Sequence, residues 1–431
     1  MLATAAYAEI TNTSGLYFRL RQETWDNMFD MTKTDAQSVT PAVAPAARQD
    51  EAYWRLKTSV WDKLEFDKQY GLFAKITNEA RYFNTSNTPA QLGLVGDEFL
   101  FDNLYVFAKK PAGLPVDLTI GRQDFLGTFG EGFLIMDGTP LDGSRTFYFN
   151  AARALVTIND RYNVDLAYIF TQENDGALPS YSMYKQNTFG FEKRPLNPYD
   201  EQAAVIYGRG KVANNVTVEP YYIWKTEEAP NRTPAAGALR LNTYGARALV
   251  GFGEGWKARA EYALQSGEYN DAANTKREGS GGYAYVGRSY DNVALKPSWD
   301  LGYITMSGDD QSTTSKNEVW NPLFSRYPQI SELYSLTLLT ESGGIPAYWS
   351  NIKIYRALVR LAPTEETKLE LSYNMLKADK TFSTGSASFA PLFSGTSKDR
   401  GQLITAKLYR KFSPILDGYV TIEQFLPDDF Y

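Results

Sequence analysis

The side chains able to do chemistry in this chain are arginines. Arg122, Arg145 and Arg153 flank a long, glycine-rich, acidic segment, and Arg356 and Arg360 lie four residues apart in a later segment. A guanidinium presents a planar fork of donors that pairs carboxylates or phosphates bidentately and stays charged at any physiological pH. Recognition of anions is therefore the chemistry on offer. Catalysis is not: the 431 residues contain neither His nor Cys. That removes Ser-His and Cys-His nucleophiles, thiolate-bound metals, most transition-metal sites and disulfides. Carboxylate pairs survive that exclusion, but nothing in the spacing singles one out. The expectation is a protein that is not an enzyme and needs no cofactor or metal. A net charge of −6 gives no reason to expect a nucleic-acid partner.

The elements that carry these arginines alternate with period two. Leu16, Phe18 and Leu20 face away from Tyr17, Arg19, Arg21 and Glu23; Trp54 and Leu56 oppose Arg55 and Lys57; Leu72 and Ile76 oppose Lys75, Glu79 and Arg81. Tyr244, Ala246 and Ala248 oppose Arg247, and Ala258, Ala260 and Tyr262 oppose Arg259 and Glu261. Seventeen such segments follow one another, joined alternately by short turns and long loops. Aromatics are 14% of the chain, and mean hydropathy is −0.39. A barrel strand needs apolar residues only at alternate positions over ~9–11 residues. The pattern predicts an all-β fold: a single large transmembrane antiparallel up-and-down barrel of 16–18 strands, 18 for preference, with short periplasmic turns and long extracellular loops. An odd count ending at Leu426–Tyr431 suggests either that an eighteenth strand is absent from the chain or that one of these segments divides into two strands. Ala6-Tyr7-Ala8 has the form of a signal-peptidase site, so residues 1–8 read as the tail of a signal peptide and 9–431 as one barrel.

Lipid excludes the charged face: Arg or Lys at the bilayer midplane costs ~2–4 kcal/mol. That face must line a water-filled lumen. Arg19, Arg21, Arg81, Arg122, Arg145, Arg153, Arg247, Arg259, Arg356 and Arg360 are the candidate pore-lining, anion-binding residues. Two readings stay open for them: a ladder of ion pairs that solvates the wall, or a constriction that conducts anions. Arg122 shares parity with the lipid-facing Leu118 and Ile120, so it turns inward only if Gly121 sits in a bulge. Trp54, Trp61, Trp224 and Trp256 are expected in the interfacial girdles. The loop Asp309–Ser350 is long enough to fold into the lumen as a plug, with a short helix near Ile330–Leu339.

Three motifs add a family resemblance. Gly121-Arg122-Gln123, then Gly130-Glu131-Gly132 and Asp142-Gly143 before a strand, resemble the signature of the alginate-export outer-membrane porins. Gly302–Asp309, containing Ser307-Gly308-Asp309 and followed by Trp320-Asn321-Pro322-Leu323-Phe324, is similar to a second motif, and the first strand to a third. The resemblance implies a monomeric 18-stranded barrel in the bacterial outer membrane, with an electropositive constriction that passes an anionic polysaccharide. Expected partners are the lipid bilayer and lipopolysaccharide, anionic polysaccharide or small anions, and periplasmic export partners. The competing reading is a structural or interaction barrel that sheathes or anchors a partner through its large loops.

Overall fold

A computed structural model describes residues 9–27, 50–85, 93–136, 149–173, 178, 180–182, 199–229, 237–325, 328–341, 348–382 and 393–431. The residues 1–8, Arg145, Asp142 and Gly143 named above lie outside them. The described residues build one sheet of nineteen strands. Seventeen are long: β1 (Ile10–Trp25), β2 (Glu51–Phe66), β3 (Tyr70–Thr85), β4 (Gly93–Lys109), β5 (Val116–Gln123), β6 (Phe149–Thr157), β7 (Tyr162–Thr171), β9 (Glu201–Ala213), β10 (Val216–Glu227), β11 (Leu239–Gly251), β12 (Trp256–Tyr269), β13 (Lys276–Ser289), β14 (Ser298–Met306), β16 (Ile352–Leu361), β17 (Thr367–Lys377), β18 (Asp399–Ser413) and β19 (Leu416–Pro427). Each long strand pairs antiparallel with the next in sequence. β8 (Ser180–Ser182) and β15 (Lys316–Asn317) are short additions on β4 and β13. Across the seam between first and last strands, the Arg21 guanidinium donates to the Tyr419 hydroxyl at 3.1 Å. This is the up-and-down barrel that the alternation predicts. Among the described residues no helix is long and apolar enough to cross a membrane.

The distribution of side chains is inverted relative to a water-soluble protein. Leu16, Phe18, Leu20, Val60, Ile120, Tyr244, Leu264, Leu301 and Ile422 are exposed, whereas Arg55, Lys57, Glu79, Asp165, Glu219 and Glu261 are buried. Only a lipid-facing exterior makes this favourable: apolar residues shed no water there, and the charges find partners inside. The short-turn ends carry the residues that tight reversals need. Asp67 and Lys68 both hold positive φ in the three-residue connection between β2 and β3, as the two central residues of a type I′ turn closed by the Gln69 amide on the Phe66 carbonyl demand.

Two elements differ from the sequence expectation. β13 starts at Lys276 rather than near Tyr283, through the run Gly279-Ser280-Gly281-Gly282. Glycine weakens a strand unless something must approach its backbone closely. Here that something is Trp320, whose ring atoms stand 2.7 and 2.8 Å from the place a Cβ on Gly281 would occupy. The connection from β12 to β13 is consequently only residues 270–275, so loop lengths do not alternate strictly. Trp61 also departs from expectation. It shares parity with the buried Arg55, Lys57 and Ser59, and its ring covers Gly15 on the interior side of β1 rather than sitting in a girdle. Trp256 does match: it packs outward against Phe252 and Trp299 near the short turns.

Candidate functional site in the charged interior

Charged residues of both signs meet across the interior wall. Strand register sets the first cluster: Arg21 faces Arg55, and Arg55 faces Arg81, on three adjacent strands. One step below, Arg19 faces Lys57, which faces Glu79. Like charges opposite one another in a sheet are destabilising, and interleaved carboxylates offset this. Glu23 lies 2.5 Å from Arg21 and 3.0 Å from Arg55; Glu79 lies 3.3 Å from Arg55 and 3.8 Å from Arg81. A register shift in β4 opposite Lys75 and Ile76 turns Asp102 inward, where Lys75 meets it at 2.7 Å.

Most of the other predicted arginines are paired too. Arg153 donates to Asp165 at 2.6 Å, and Arg209 shares that carboxylate. Arg247 meets Glu219 at 3.0 Å and Glu131 at 3.4 Å. Arg259 meets Glu131 at 2.7 Å and Asp300 at 3.5 Å, with its guanidinium 4.1 Å above the Tyr285 ring. Arg360 bridges Asp300 at 2.6 Å and Glu370 at 2.9 Å. Arg356 is different: it is 9% exposed and, among the described residues, no carboxylate lies within 4.0 Å of it. Arg122 is buried, and its bonds run to the Phe101 carbonyl and the Asn150 side chain, both at 3.1 Å. It therefore ties β4, β5 and β6 together. Register continues unbroken through Gly121, so the bulge that the sequence required is not what turns it. Instead Gly121 holds φ +131°, and a Cβ there would lie 2.3 Å from the Leu104 carbonyl, so only glycine fits. Gln123 donates to the Ala151 carbonyl at 3.1 Å.

Two loops fold inward and fill part of the barrel. The first follows β5. Phe125, Phe129 and Phe133–Met136 are buried, and Glu131 enters the Arg247–Arg259 cluster described above. Gly130 passes so close to the wall that a Cβ would stand 3.2 Å from both Arg247 and the Tyr207 hydroxyl. The second runs from Ser307 to Ser350 and includes α1 (Glu332–Glu341). Its first residues are knotted by the predicted motif. The Ser307 hydroxyl donates to the Glu318 carbonyl at 2.7 Å, the Gly308 amide to Asp379 at 3.0 Å, and Asp309 accepts the Glu318 amide at 2.9 Å. Trp320 is fully buried over β13, and the Met136–Phe324 bridge joins the two loops.

Of the residues that fasten the second loop, Lys225, Glu201, Glu227 and Arg400 were not singled out in the sequence. Lys225 on β10 is fully buried. It donates to Glu201 at 2.8 Å, Glu227 at 2.7 Å and the Leu323 carbonyl at 3.0 Å, and stands 4.5 Å from the Phe324 ring centroid. Asn321 reinforces this clasp through Glu227 at 2.9 Å, and its amide donates to Gln265 at 2.8 Å. The helix is strapped at both ends. Glu332 takes a bidentate pair from Arg21 at 2.7 and 2.8 Å; Glu341 is held by the buried Arg400, and Ser331 donates to Glu423 at 2.6 Å. At the loop rim Asp310 meets Lys380 at 2.7 Å. That contact, with the Ser312 hydroxyl and amide, holds the Asp310 carboxyl well below its usual range and raises Lys380.

A sequence model of the family described as Alginate export matches residues 175–408, more than half of the chain. No curated protein matches by sequence. Solved structures with a similar fold include Pseudomonas aeruginosa OccK5 (OpdH), with a TM-score of 0.52 and 9% identity over 98% of this chain and 93% of that one. P. aeruginosa OccK9 (OpdG) gives 0.52 and 11% over 97% and 95%, and Acinetobacter baumannii OccAB2 gives 0.51 and 9% over 97% and 93%. At such identities the likeness speaks for the fold.

Proposed function

The chain belongs to the alginate-export family and is a porin-like barrel of the bacterial outer membrane; from that premise we propose that its lumen is anion-selective and passes an anionic polysaccharide outward. The observation that carries this reading is the row Arg21–Arg55–Arg81 in direct register, with Arg19 and Lys57 beside it. Such a row costs stability in a sheet, and a field that draws anions into a water-filled pore is a physical reason to keep it. Arg356, with no carboxylate within 4.0 Å among the described residues, adds a further cation to the wall on β16. Arg153, Arg247, Arg259 and Arg360 are matched by carboxylates and fit the ion-pair ladder, whereas around the row five cations, Arg19, Arg21, Arg55, Lys57 and Arg81, share Glu23 and Glu79 of the wall and Glu332 of α1. The inward loops narrow the passage, so a polymer would pass as a single extended chain. Catalysis has no part in this reading.

The test is polymer capture in a planar bilayer. Oligouronate added on the short-turn side should interrupt the current at a frequency that rises with the voltage polarity driving anions outward. A polycation of similar length should produce no interruptions. Capture of the polycation in preference to the polyanion would overturn the proposal.

A further inference from the structure

A second interior feature lies away from the arginine row, on the wall of β2–β5 nearer the short turns. Trp61, Phe73 and Tyr105 stand on adjacent strands with their side chains inward. The Trp61 and Phe73 centroids are 6.0 Å apart with planes at 26°, and Phe73 and Tyr105 are 5.2 Å apart at 25°. At those separations nearly parallel rings overlap only in part, like shingles, and each keeps some of its face uncovered; all three are half-buried. Glycine makes room for the row: the Trp61 ring lies where a Cβ on Gly15 would be, at 2.5 Å, and the neighbouring Phe107 ring does the same over Gly71, at 2.4 Å.

The Tyr105 end of the row borders a cavity of about 270 Å³, lined also by Phe107, Lys63, Lys109, Asp117 and Arg153, with Phe73 stacked behind Tyr105. That is close to the lower end of small-molecule sites, ~300 Å³. Its charges compensate. Glu65 sits 3.0 Å from Lys63 and 3.2 Å from Lys109, Arg153 pairs with Asp165, and Asp117 accepts the Lys110 amide at 3.0 Å. The two ammonium groups also stand 5.5 and 5.3 Å from the Phe107 centroid, which occupies that ring. What is left for a ligand is not a net charge. It is a set of spare donors and acceptors facing partly uncovered aromatic faces.

We propose that this wall is a binding station for a single pyranose ring at the short-turn mouth of the barrel. A pyranose has an apolar C–H face that stacks on an aromatic ring, and a rim of hydroxyls that both donate and accept. Tyr105, backed by Phe73, supplies the first contact and the Lys63, Lys109 and Asp117 groups the second. The station rests on the barrel being a channel, but not on its anion preference.

The experiment is current block in planar bilayers with sugar added on the short-turn side. Glucose should reduce the open-channel current, and sorbitol, with the same number of carbons but no ring face, should not. Both Tyr105→Leu and Phe73→Leu keep the wall apolar; Tyr105→Leu should raise the half-blocking glucose concentration about tenfold, the loss of one aromatic contact of ~1.4 kcal/mol, and Phe73→Leu, which removes the ring behind Tyr105, should raise it several-fold. Their chloride-over-potassium preference should stay as in the parent, which separates this test from that of the anion-selective lumen. If neither leucine variant assembles, Lys109→Gln, at the half-exposed rim, carries the test, and a several-fold rise in the half-blocking concentration is expected. Equal block by glucose and sorbitol, block by benzoate but not glucose, or unchanged block in the assembled variants would overturn the proposal.

Discussion

Replacing Lys225 with Met should release the second inward loop while leaving the barrel intact. Lys225 is the cation between two buried carboxylates, Glu201 and Glu227, which are 1% and 6% exposed. It also holds the loop directly through the Leu323 carbonyl and the Phe324 ring. Methionine keeps the volume of the stem and removes the charge. Two carboxylates are then left in a dry site, and the usual cost of breaking a buried pair is ~3–5 kcal/mol. The sheet itself is held by the β9–β10–β11 ladders, so the cheapest escape is to admit water by undocking residues 319–325. A shift of that size changes the docked-to-undocked ratio by ~10²–10³ or more. Single-channel conductance should rise, and hydrogen exchange or limited proteolysis should mark the segment around Trp320. Adding Glu227→Gln should recover part of the loss by removing one stranded charge. Parent-like conductance and parent-like exchange in Lys225→Met would refute the reasoning, because the clasp would then contribute nothing to docking.

Three further outcomes follow from the same geometry. Gly121→Ala forces a side chain into a φ of +131° and against the Leu104 carbonyl; the barrel should lose at least ~1–3 kcal/mol in urea unfolding from lipid vesicles, and an unchanged midpoint would contradict the close approach. Glu332→Gln removes the charge that Arg21 clamps at the start of α1; since both partners are partly exposed, the loss is ~1 kcal/mol or less, seen as added open-channel noise with unchanged mean conductance. The Asp310–Lys380 clasp has a carboxyl held below its ordinary value, so it contributes above the ordinary carboxylate pKa and is lost only as pH falls through the depressed one. Loop-derived noise should therefore stay flat from neutral pH to ~4 and rise only in stronger acid; a rise near neutrality would contradict that assignment.

Strands were legible because lipid imposes a rule on every second residue. Leu16-Phe18-Leu20 against Arg19-Arg21-Glu23 reads the same in sequence and in space. The interior was less legible, because alternation says which face a residue is on but not what stands opposite. Arg153 and Arg360 looked like anion contacts until Asp165, Asp300 and Glu370 appeared beside them. The segments that fold inward are aperiodic, so nothing local announces that Trp320 will cover β13 or that Lys225 will clasp Leu323. One trace of each contact was present: Gly279-Ser280-Gly281-Gly282 made room for Trp320, and Gly130 for Arg247. Gly15 likewise explains why Trp61 leaves the girdle for the interior. Such glycines mark where another part of the chain must approach, and their partners become visible only in three dimensions.

The central claim is that the cations around the register-aligned row, Arg19 and Lys57 beside it and Arg356 on β16, leave an excess of positive charge that makes the lumen attractive to anions. The most direct test is the reversal potential of the purified barrel in a planar bilayer under a potassium chloride gradient, for the parent and for Arg19→Gln, Lys57→Gln and Arg356→Ala combined. The account predicts chloride preference in the parent and a marked fall in that preference in the triple variant, with the barrel still conducting. A potassium-selective parent, or a triple variant with undiminished chloride preference, would contradict it.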